Sequence, residues 1–430
     1  MQRALLWLVA AALALFALTR LAELWSVSAP EEPSIRRSSA GAEDYNAAVA
    51  RLHQQIAGLR SLARARAGDW VLQERIADSL IVRARLTGDY SDLVQAQEAL
   101  DTGFASATAG SGPHLTQAVL ALSTHRLDLA DRMLDAAQGY AVPPYAQVAK
   151  AMRGDIAFYR GHYRAALSAY ASLPQPDQRL AILRARTGQS GAALVEISKI
   201  ERTGLPTSQS LAQLALLRGT IELQGGRWEA AEAAFAEADR QFPGWWLVGA
   251  HRAQLLALRG RHEAAIRAFG VLAARNGEPL LRDALASLYR ARGVYPKAYY
   301  WARQAAAGWA ERLRLLPEAA LGHAAEHELA FGTPARALAL AQRDFALRPH
   351  GATAVTLGWA LVANNRAAAA LRLMSAVDRS SWRSTEQHLV SARAHALLGQ
   401  GNEARAAEAS ALAINPRALD ENAALLWFGH

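Results

Sequence analysis

Apolar residues recur along most of this chain at spacings of three and four residues, which is the pattern of helices that bury one side. The clearest single stretch spans residues 42–67, where the apolar positions are Val49, Leu52, Ile56, Leu59 and Leu62. No stretch of any length shows the β-rich alternation that is typical of a strand. The pattern therefore predicts an all-α protein, and a composition dominated by Ala, with Leu and Arg behind, also favours helices.

The helical pattern is itself periodic, because a glycine-centred motif returns about every 34 residues. The clearest copy is anchored on Gly226; at −7, +2, +5, +9 and +17 it carries Gly219, Trp228, Ala231, Phe235 and Pro243. The other anchors are Gly88, His125, Gly161, Gly188, Gly260, Gly293, Gly332, Asn365 and Gly399. Ten anchors predict ten consecutive units of the same kind.

Each position of the motif has a steric reason. A residue in the left-handed conformation ends the first helix, and glycine adopts this conformation without a side-chain penalty; Asn365 also tolerates it. Small residues let two antiparallel helices approach closely, and aromatic residues fill the space between one helix pair and the next. Proline closes the second helix because it cannot continue one. The motif thus predicts pairs of antiparallel helices with a turn at each anchor.

This motif resembles the tetratricopeptide repeat family, closely over residues 219–243 and more loosely around His125 and Asn365. The resemblance implies a right-handed α-solenoid of about ten helix pairs over residues 74–418, with a capping helix region at 42–73 and a C-terminal tail at 419–430. Stacked repeats share one continuous core, so this length is compatible with one elongated domain. Such a fold leaves the function open.

The N-terminus begins with the most apolar segment of the chain. Arg3 precedes sixteen uncharged residues, Ala4 to Thr19, and a snorkelling Arg20 extends the segment to the length of a spanning helix of about 20 residues. We predict a transmembrane anchor within residues 1–25, formed by residues 4–25, and a flexible tether over 26–41. The alternative is a signal peptide cleaved after Ala29. The short N-terminal tail favours a cytoplasmic N-terminus, which in a bacterium gives a single-pass inner-membrane protein with a periplasmic solenoid.

The net charge of +9 raises the possibility of nucleic-acid binding. Lysine occurs only at Lys150, Lys199 and Lys297, and the arginines are scattered without a dense basic run. We therefore expect no specific nucleic-acid partner. The absence of cysteine excludes disulfides, thiolate metal sites and a cysteine nucleophile.

The strongest catalytic hint is the sequence HAAEH, from His323 to His327, which resembles the inverted zinc-protease motif with Glu326 as general base. That motif needs a third ligand, and the downstream candidate, Glu403, belongs to a different repeat. There is also no phosphate-binding glycine loop and no nucleophile elbow. The sequence favours a non-catalytic protein without metal or cofactor, and a metal-dependent hydrolase using His323, Glu326 and His327 is the alternative.

Aromatic residues exceed the needs of the motif between residues 242 and 309. Packing accounts for some of them, and the remainder suggest a recognition surface. The candidate partner-binding residues are Trp245, Trp246, His251, Tyr299, Tyr300 and Trp309. We expect a membrane-tethered scaffold that binds protein partners of an envelope assembly, such as polysaccharide export, cytochrome maturation or outer-membrane biogenesis. A soluble periplasmic adaptor, released by cleavage of the N-terminal segment, is the alternative.

Overall fold

The computed structural model describes residues 44–139, 143–203 and 207–423. These residues contain twenty-one α-helices, one short 3-10 helix at Ala137–Gly139 and no strand. The prediction of an all-α protein is therefore confirmed. The predicted anchor, the predicted tether and the last residues of the tail lie outside the described residues. Among the described residues, no helix combines the length and hydrophobicity needed to cross a membrane.

Helix α1, Tyr45–Ala65, precedes ten helix pairs, which we number repeats 1 to 10 in chain order. The first helices of the pairs are α2 Trp70–Thr87, α4 His114–Ser123, α6 Pro143–Tyr159, α8 Gln178–Arg186, α10 Ser208–Gln224, α12 Trp246–Leu258, α14 Pro279–Ala291, α16 Pro317–Phe331, α18 Gly351–Ala363 and α20 Thr385–Leu397. The second helices are α3 Tyr90–Ser106, α5 Leu127–Ala136, α7 Tyr163–Ala171, α9 Ser190–Thr203, α11 Trp228–Gln241, α13 His262–Arg275, α15 Tyr295–Leu315, α17 Pro334–Leu347, α19 Ala367–Arg379 and α21 Gly401–Ile414.

The predicted anchors mark the turns within the pairs. Nine of the ten have a positive φ, including His125 at 62° and Asn365 at 57°, which are the only described residues other than glycine with this conformation. Gly332 is different, with φ −105°. Only two residues separate α16 from α17 there, and Thr333 caps the next helix by accepting from the backbone N–H of Arg336. The connection at Gly88 also has two residues and is left-handed, so a two-residue turn occurs here in both conformations.

First helices line the inner side of the solenoid. First helices of neighbouring repeats contact one another directly, as in α2 with α4, α4 with α6, α16 with α18 and α18 with α20. Second helices pack on the outside of this layer, against the first helices of their own and the following repeat. Side chains on the exposed side of a second helix therefore point away from the groove.

The solenoid returns to itself after about five repeats. The end of α2 and the following turn are held by later parts of the chain: Trp246 Nε1 donates to the carbonyl of Leu86 (3.1 Å), and Asn276 Nδ2 donates to that of Thr87 (3.1 Å). Arg312 donates to the carbonyl of Gly88 (2.8 Å). Repeat 1 thus lies against the connections that follow repeats 5, 6 and 7.

Repeats 3 to 5 are held in the same way by repeats 8 to 10. The backbone N–H of Gly351 donates to the hydroxyl of Tyr163 (2.8 Å), and that of Arg383 donates to the carbonyl of Arg186 (2.9 Å). One buried cluster accordingly joins Tyr163 and Tyr170 to Met374, Trp382 and Val390. The second half of the solenoid therefore packs along the edge of the first half, and its right-handed sense stays a prediction.

Residues 43–430 form one compact unit. The N-terminal end of this unit is docked on its middle, because the backbone N–H of Tyr45 donates to the carbonyl of Pro243 (3.0 Å), between repeats 5 and 6. The ring of Tyr45 also packs edge-on against Phe242. Because the core is built from residues of this unit, we expect residues 43–430 to fold without the preceding segment.

Candidate functional site

The six predicted partner-binding residues fall into two groups. Trp245, His251 and Trp309 are at most 5% exposed, and Trp246 is half-buried. Tyr299 and Tyr300 are 66% and 56% exposed. Only the two tyrosines are fully accessible to a partner of the folded chain.

The buried members of this set stabilise the solenoid. Trp309 Nε1 donates to Asp283 Oδ2 (2.8 Å), inside repeat 7. His251 is stacked on Phe235, with 5.0 Å between ring centres, and burial lowers its pKa to about 4, so the ring is neutral near pH 7. Trp246 connects the two halves of the solenoid through its bond to Leu86. The aromatic cluster seen in the sequence is thus mainly an internal one.

The HAAEH segment lies in α16, and its two histidines have different partners. His323 Nδ1 lies 3.1 Å from Glu326 Oε2, whereas His327 Nδ1 lies 2.7 Å from Asp283 Oδ1 and its side chain is buried. Glu403 is exposed at the start of α21, two repeats away. Among the described residues, no group of three His, Asp or Glu side chains could hold a metal ion. The geometry therefore offers no support for the hydrolase alternative.

A pocket of about 290 Å³ lies on the inner wall of repeats 1 to 4. All but one of its residues stand on the first helices of these four repeats; it is lined by Arg85, Leu122, Ser123, Asp155, Phe158, Tyr159, Tyr170, Arg179 and Ile182. The pocket residues of α2, α4 and α6 lie in the C-terminal halves of these helices, whereas Arg179 lies at the start of α8. Together the four helices form one continuous surface.

Asp155 is the fixed anion of this pocket. It accepts from the Tyr170 hydroxyl (2.8 Å) and, through both carboxylate oxygens, from Arg179 Nε (2.9 Å each). Burial raises the pKa of Asp155, and Arg179 and Tyr170 oppose that rise by favouring the carboxylate. Burial also works against the charge of Arg179, but Asp155 and Asp177 outweigh it and raise its pKa. The two charges therefore largely neutralise each other.

Arg85 is the less compensated cation. Its guanidinium donates to Ser123 Oγ (3.0 Å), and it makes no salt bridge with any residue in the described part of the chain. Surrounding protein lowers its pKa by desolvation, although Asp78 attracts the charge. The pocket thus combines one available cation, a partly saturated carboxylate and the rings of Phe158 and Tyr159.

The rings of the pocket rest on His350 from the second half of the solenoid. The ring centre of His350 lies 5.9 Å from that of Phe158 and 5.4 Å from that of Tyr159. It is 6% exposed, and neither ring nitrogen has a hydrogen-bond partner among the described residues. Burial, with the nearby Arg348, lowers the pKa of His350 to about 3, so the ring is neutral near pH 7.

This pocket was not predicted from the sequence, because the prediction relied on the aromatic residues of repeats 5 to 7. A signal was nevertheless present at a fixed distance from the anchors. Three residues before the anchors of repeats 1, 2 and 3 stand Arg85, Leu122 and Phe158. These positions share one side of the first helices, and they all line the pocket.

A second depression, of about 350 Å³, lies between α4, α5 and α6. Its lining is mainly alkyl, and the one arginine there, Arg153, is already paired with Asp135 (2.9 Å). The pocket on the inner wall offers more varied chemistry in less space, so we take it as the candidate site. Neither location presents a nucleophile beside a base, and what the inner pocket can do chemically is bind.

The fold and the pocket together define an all-α protein of stacked helical hairpins with a binding pocket on its inner wall. No protein-family model matches the chain, and no curated protein sequence matches it.

Among solved structures, the chain is similar to the Cut9–Hcn1 hetero-tetramer of APC/C, at 15% identity and a TM-score of 0.41, over 89% of this chain and 82% of that one. It is also similar to a monomeric mutant of IFIT1 with Gppp-AAAA, at 13% identity and a TM-score of 0.41, over 86% of this chain and 95% of that one. TM-scores of this size do not establish a shared fold, and the architecture of this chain is defined by its own helices and their contacts.

Proposed function

We propose that this protein is a non-catalytic scaffold whose repeats hold a protein partner in the pocket of repeats 1 to 4. The observation that carries the proposal is that the first helices of four repeats meet at one pocket, which contains Arg85, Asp155 and Tyr159. The volume of this pocket, about 290 Å³, lies at the lower end of ligand pockets, roughly 300–1,000 Å³. It suits a side chain of a peptide better than a whole cofactor. A segment with an apolar side chain beside an acidic group matches these residues.

The concave side of a solenoid favours this use. Stacked repeats form an extended inner surface, so a partner can contact several repeats at once. The pocket would hold the central side chain, and the flanking first helices would contact the rest of the segment. Aromatic and arginine residues are the side chains that most often dominate binding energy at protein interfaces.

We propose further that residues 4–25 anchor the chain in the bacterial inner membrane, that residues 26–41 are the tether, and that the repeats serve a periplasmic envelope assembly. The support is the uncharged run from Ala4 to Thr19. Fractionation of cells should find the full chain with the membrane, and a chain lacking residues 1–29 in the soluble fraction. A mature N-terminus after Ala29 would instead support the soluble adaptor.

The partner site is tested by placing a photo-crosslinking amino acid at Ile182, which lines the pocket and leaves Arg85 in place, in the full chain in cells. The matched control places it at Ser168, which is exposed on the outer side of α7. We expect a protein adduct from Ile182 that Ser168 does not give. Identical adducts from both positions, or none from either, would show that the pocket is not the partner site.

The partner identified in this way allows a quantitative test. Arg85→Ala should weaken its binding to purified protein by about 30-fold, since hot-spot residues typically contribute 2 kcal/mol or more. Arg164→Ala, on the outer side of α7, removes the same charge outside the groove and should leave the Kd unchanged. Equal effects of both variants would indicate a general effect of net charge.

A further inference from the structure

Three tyrosines on the outer side of repeat 7 are the most accessible aromatic residues of the described chain. Tyr295, Tyr299 and Tyr300 are 68%, 66% and 56% exposed. Every other Phe, Tyr or Trp among the described residues is partly or fully buried. We call these three residues the α15 tyrosine face. Large exposed rings are costly in water unless another surface covers them, and such patches often mark interaction sites.

The exposure of these rings follows from the position of α15 in the solenoid. The helix buries Ala298, Ala302, Ala305 and Trp309, which repeat at spacings of three and four residues. Tyr295, Tyr299 and Tyr300 lie outside that stripe, and α15 is a second helix with no further layer over it. Tyr300 packs edge-on against Trp301 of the same helix, with 5.2 Å between ring centres, but most of each tyrosine side chain remains exposed.

The surroundings of the tyrosine face are basic. The Arg303 guanidinium lies 5.8 Å from the ring centre of Tyr299, and Lys297 lies on the same exposed helix side. The exposed charged residues of α13, α15 and α17 are seven basic and two acidic: Arg267, Arg275, Lys297, Arg303, Arg314, Arg336 and Arg343 against Glu263 and Glu311. The second helices of repeats 1 and 2 have the opposite balance, with Glu98, Asp101, Asp128 and Asp135 against Arg132. The second helices of repeats 6 to 8, which carry the tyrosines, are thus more basic than those of repeats 1 and 2.

We propose that the α15 tyrosine face and its cations rest on an anionic membrane surface. Tyrosine has an apolar body and a polar tip and is enriched at the membrane–water interface. Lysine and arginine are attracted to anionic headgroups. This contact deepens the proposed function, because it rests on the proposal that the chain is anchored at a membrane. It also leaves the inner wall of repeats 1 to 4 open to a partner.

The test uses residues 43–430, which form a compact unit with its own core, so that the anchor cannot contribute. Sedimentation with vesicles of phosphatidylethanolamine, with and without phosphatidylglycerol, measures binding. We expect binding that needs phosphatidylglycerol and falls with added salt. The variant Lys297→Gln/Arg303→Gln should bind on the order of tenfold more weakly, since each cation near the surface contributes about a fivefold factor.

Two further variants separate this face from general electrostatics. Tyr295→Ser/Tyr299→Ser/Tyr300→Ser should weaken vesicle binding without changing net charge. Arg164→Gln/Arg372→Gln, which removes two exposed cations from α7 and α19, should leave binding unchanged. All these positions are exposed, so circular dichroism should show the same helix content in each variant.

Several outcomes would overturn the proposal. The first is no binding to the vesicles, and the second is equal weakening of vesicle binding by Arg164→Gln/Arg372→Gln. The third is binding of an oligonucleotide that depends on the tyrosines and is tighter than binding to vesicles, which would assign the face to nucleic acid. Failure of this proposal is distinguishable from failure of the proposed function, because crosslinking at Ile182 and release by removal of residues 1–29 do not involve the tyrosine face.

Discussion

Gly154→Ala tests the close packing of helix pairs on which the whole architecture depends. Gly154 stands seven residues before the anchor Gly161, where the motif requires a small residue. A Cβ placed there would lie 2.5 Å from Tyr170 Cε1 and 2.9 Å from Tyr170 Cδ1, and 3.1 Å from Ala169 Cβ. The ring of Tyr170 cannot move away freely, because its hydroxyl donates to Asp155 and the ring is buried.

The magnitude follows from two opposing effects. Overpacking of a core typically costs about 1–3 kcal/mol, and the pinned ring places this site toward the upper end. Alanine is favoured over glycine in a helix by about 1 kcal/mol. We therefore expect Gly154→Ala to lower the free energy of unfolding by about 1–2 kcal/mol. Urea denaturation followed by far-ultraviolet circular dichroism measures the change.

Gly270→Ala is the matched control. Gly270 lies within α13, and a Cβ there would meet nothing within 4 Å, so this variant should be stabilised by roughly 0.5–1 kcal/mol. The opposite signs of the two substitutions make the test sharp. In a Tyr170→Phe background, which frees the ring from Asp155, Gly154→Ala should cost less than in the native chain. If Gly154→Ala raised stability as Gly270→Ala does, the predicted contact between α6 and α7 would be refuted.

Two further predictions concern the contact between the halves of the solenoid. Because burial lowers the pKa of His350 from 6.5 to about 3, the unfolded chain binds a proton that the folded chain excludes; this group should lower stability by on the order of 5 kcal/mol as the pH drops through this range. His350→Phe should reduce the pH dependence in pH-resolved urea denaturation, and the part due to other buried histidines such as His251 should remain. Replacement of the exposed His53 by Gln should not reduce it. Arg312→Met should lower stability by about 3–5 kcal/mol, because it leaves the buried carboxylate of Glu278 unpaired; Arg314→Met, in an exposed pair on the same helix, should leave the urea midpoint nearly unchanged. A pH dependence that His350→Phe leaves unchanged, or equal effects of the two arginine variants, would contradict these assignments.

The local part of the fold was predictable from the sequence. The ten helix pairs and nine left-handed turns follow from apolar spacing and from the residue at each anchor, and His125 and Asn365 conform although neither is glycine. These features were readable because each depends on residues within one turn or one helix pair. The exception is Gly332, whose φ of −105° the motif does not predict.

The candidate site was much less predictable. Exposed aromatic residues in a sequence look the same as buried ones, and only Tyr299 and Tyr300 of the six predicted residues are fully accessible. The pocket on the inner wall was missed because its members are single residues in four repeats, without a local motif. Their common distance from the anchors gains meaning only when the first helices are known to lie side by side.

The helices, their pairing and the small residues between them can be read from the sequence, because these features depend on interactions over short chain distances. The return of the solenoid to itself is visible only in the folded chain. That return joins Arg312 to Gly88 across 224 residues, and it buries His350 between the two halves. It is set by the small rotation between successive repeats, accumulated over about five of them, and no single repeat contains enough information to fix that sum.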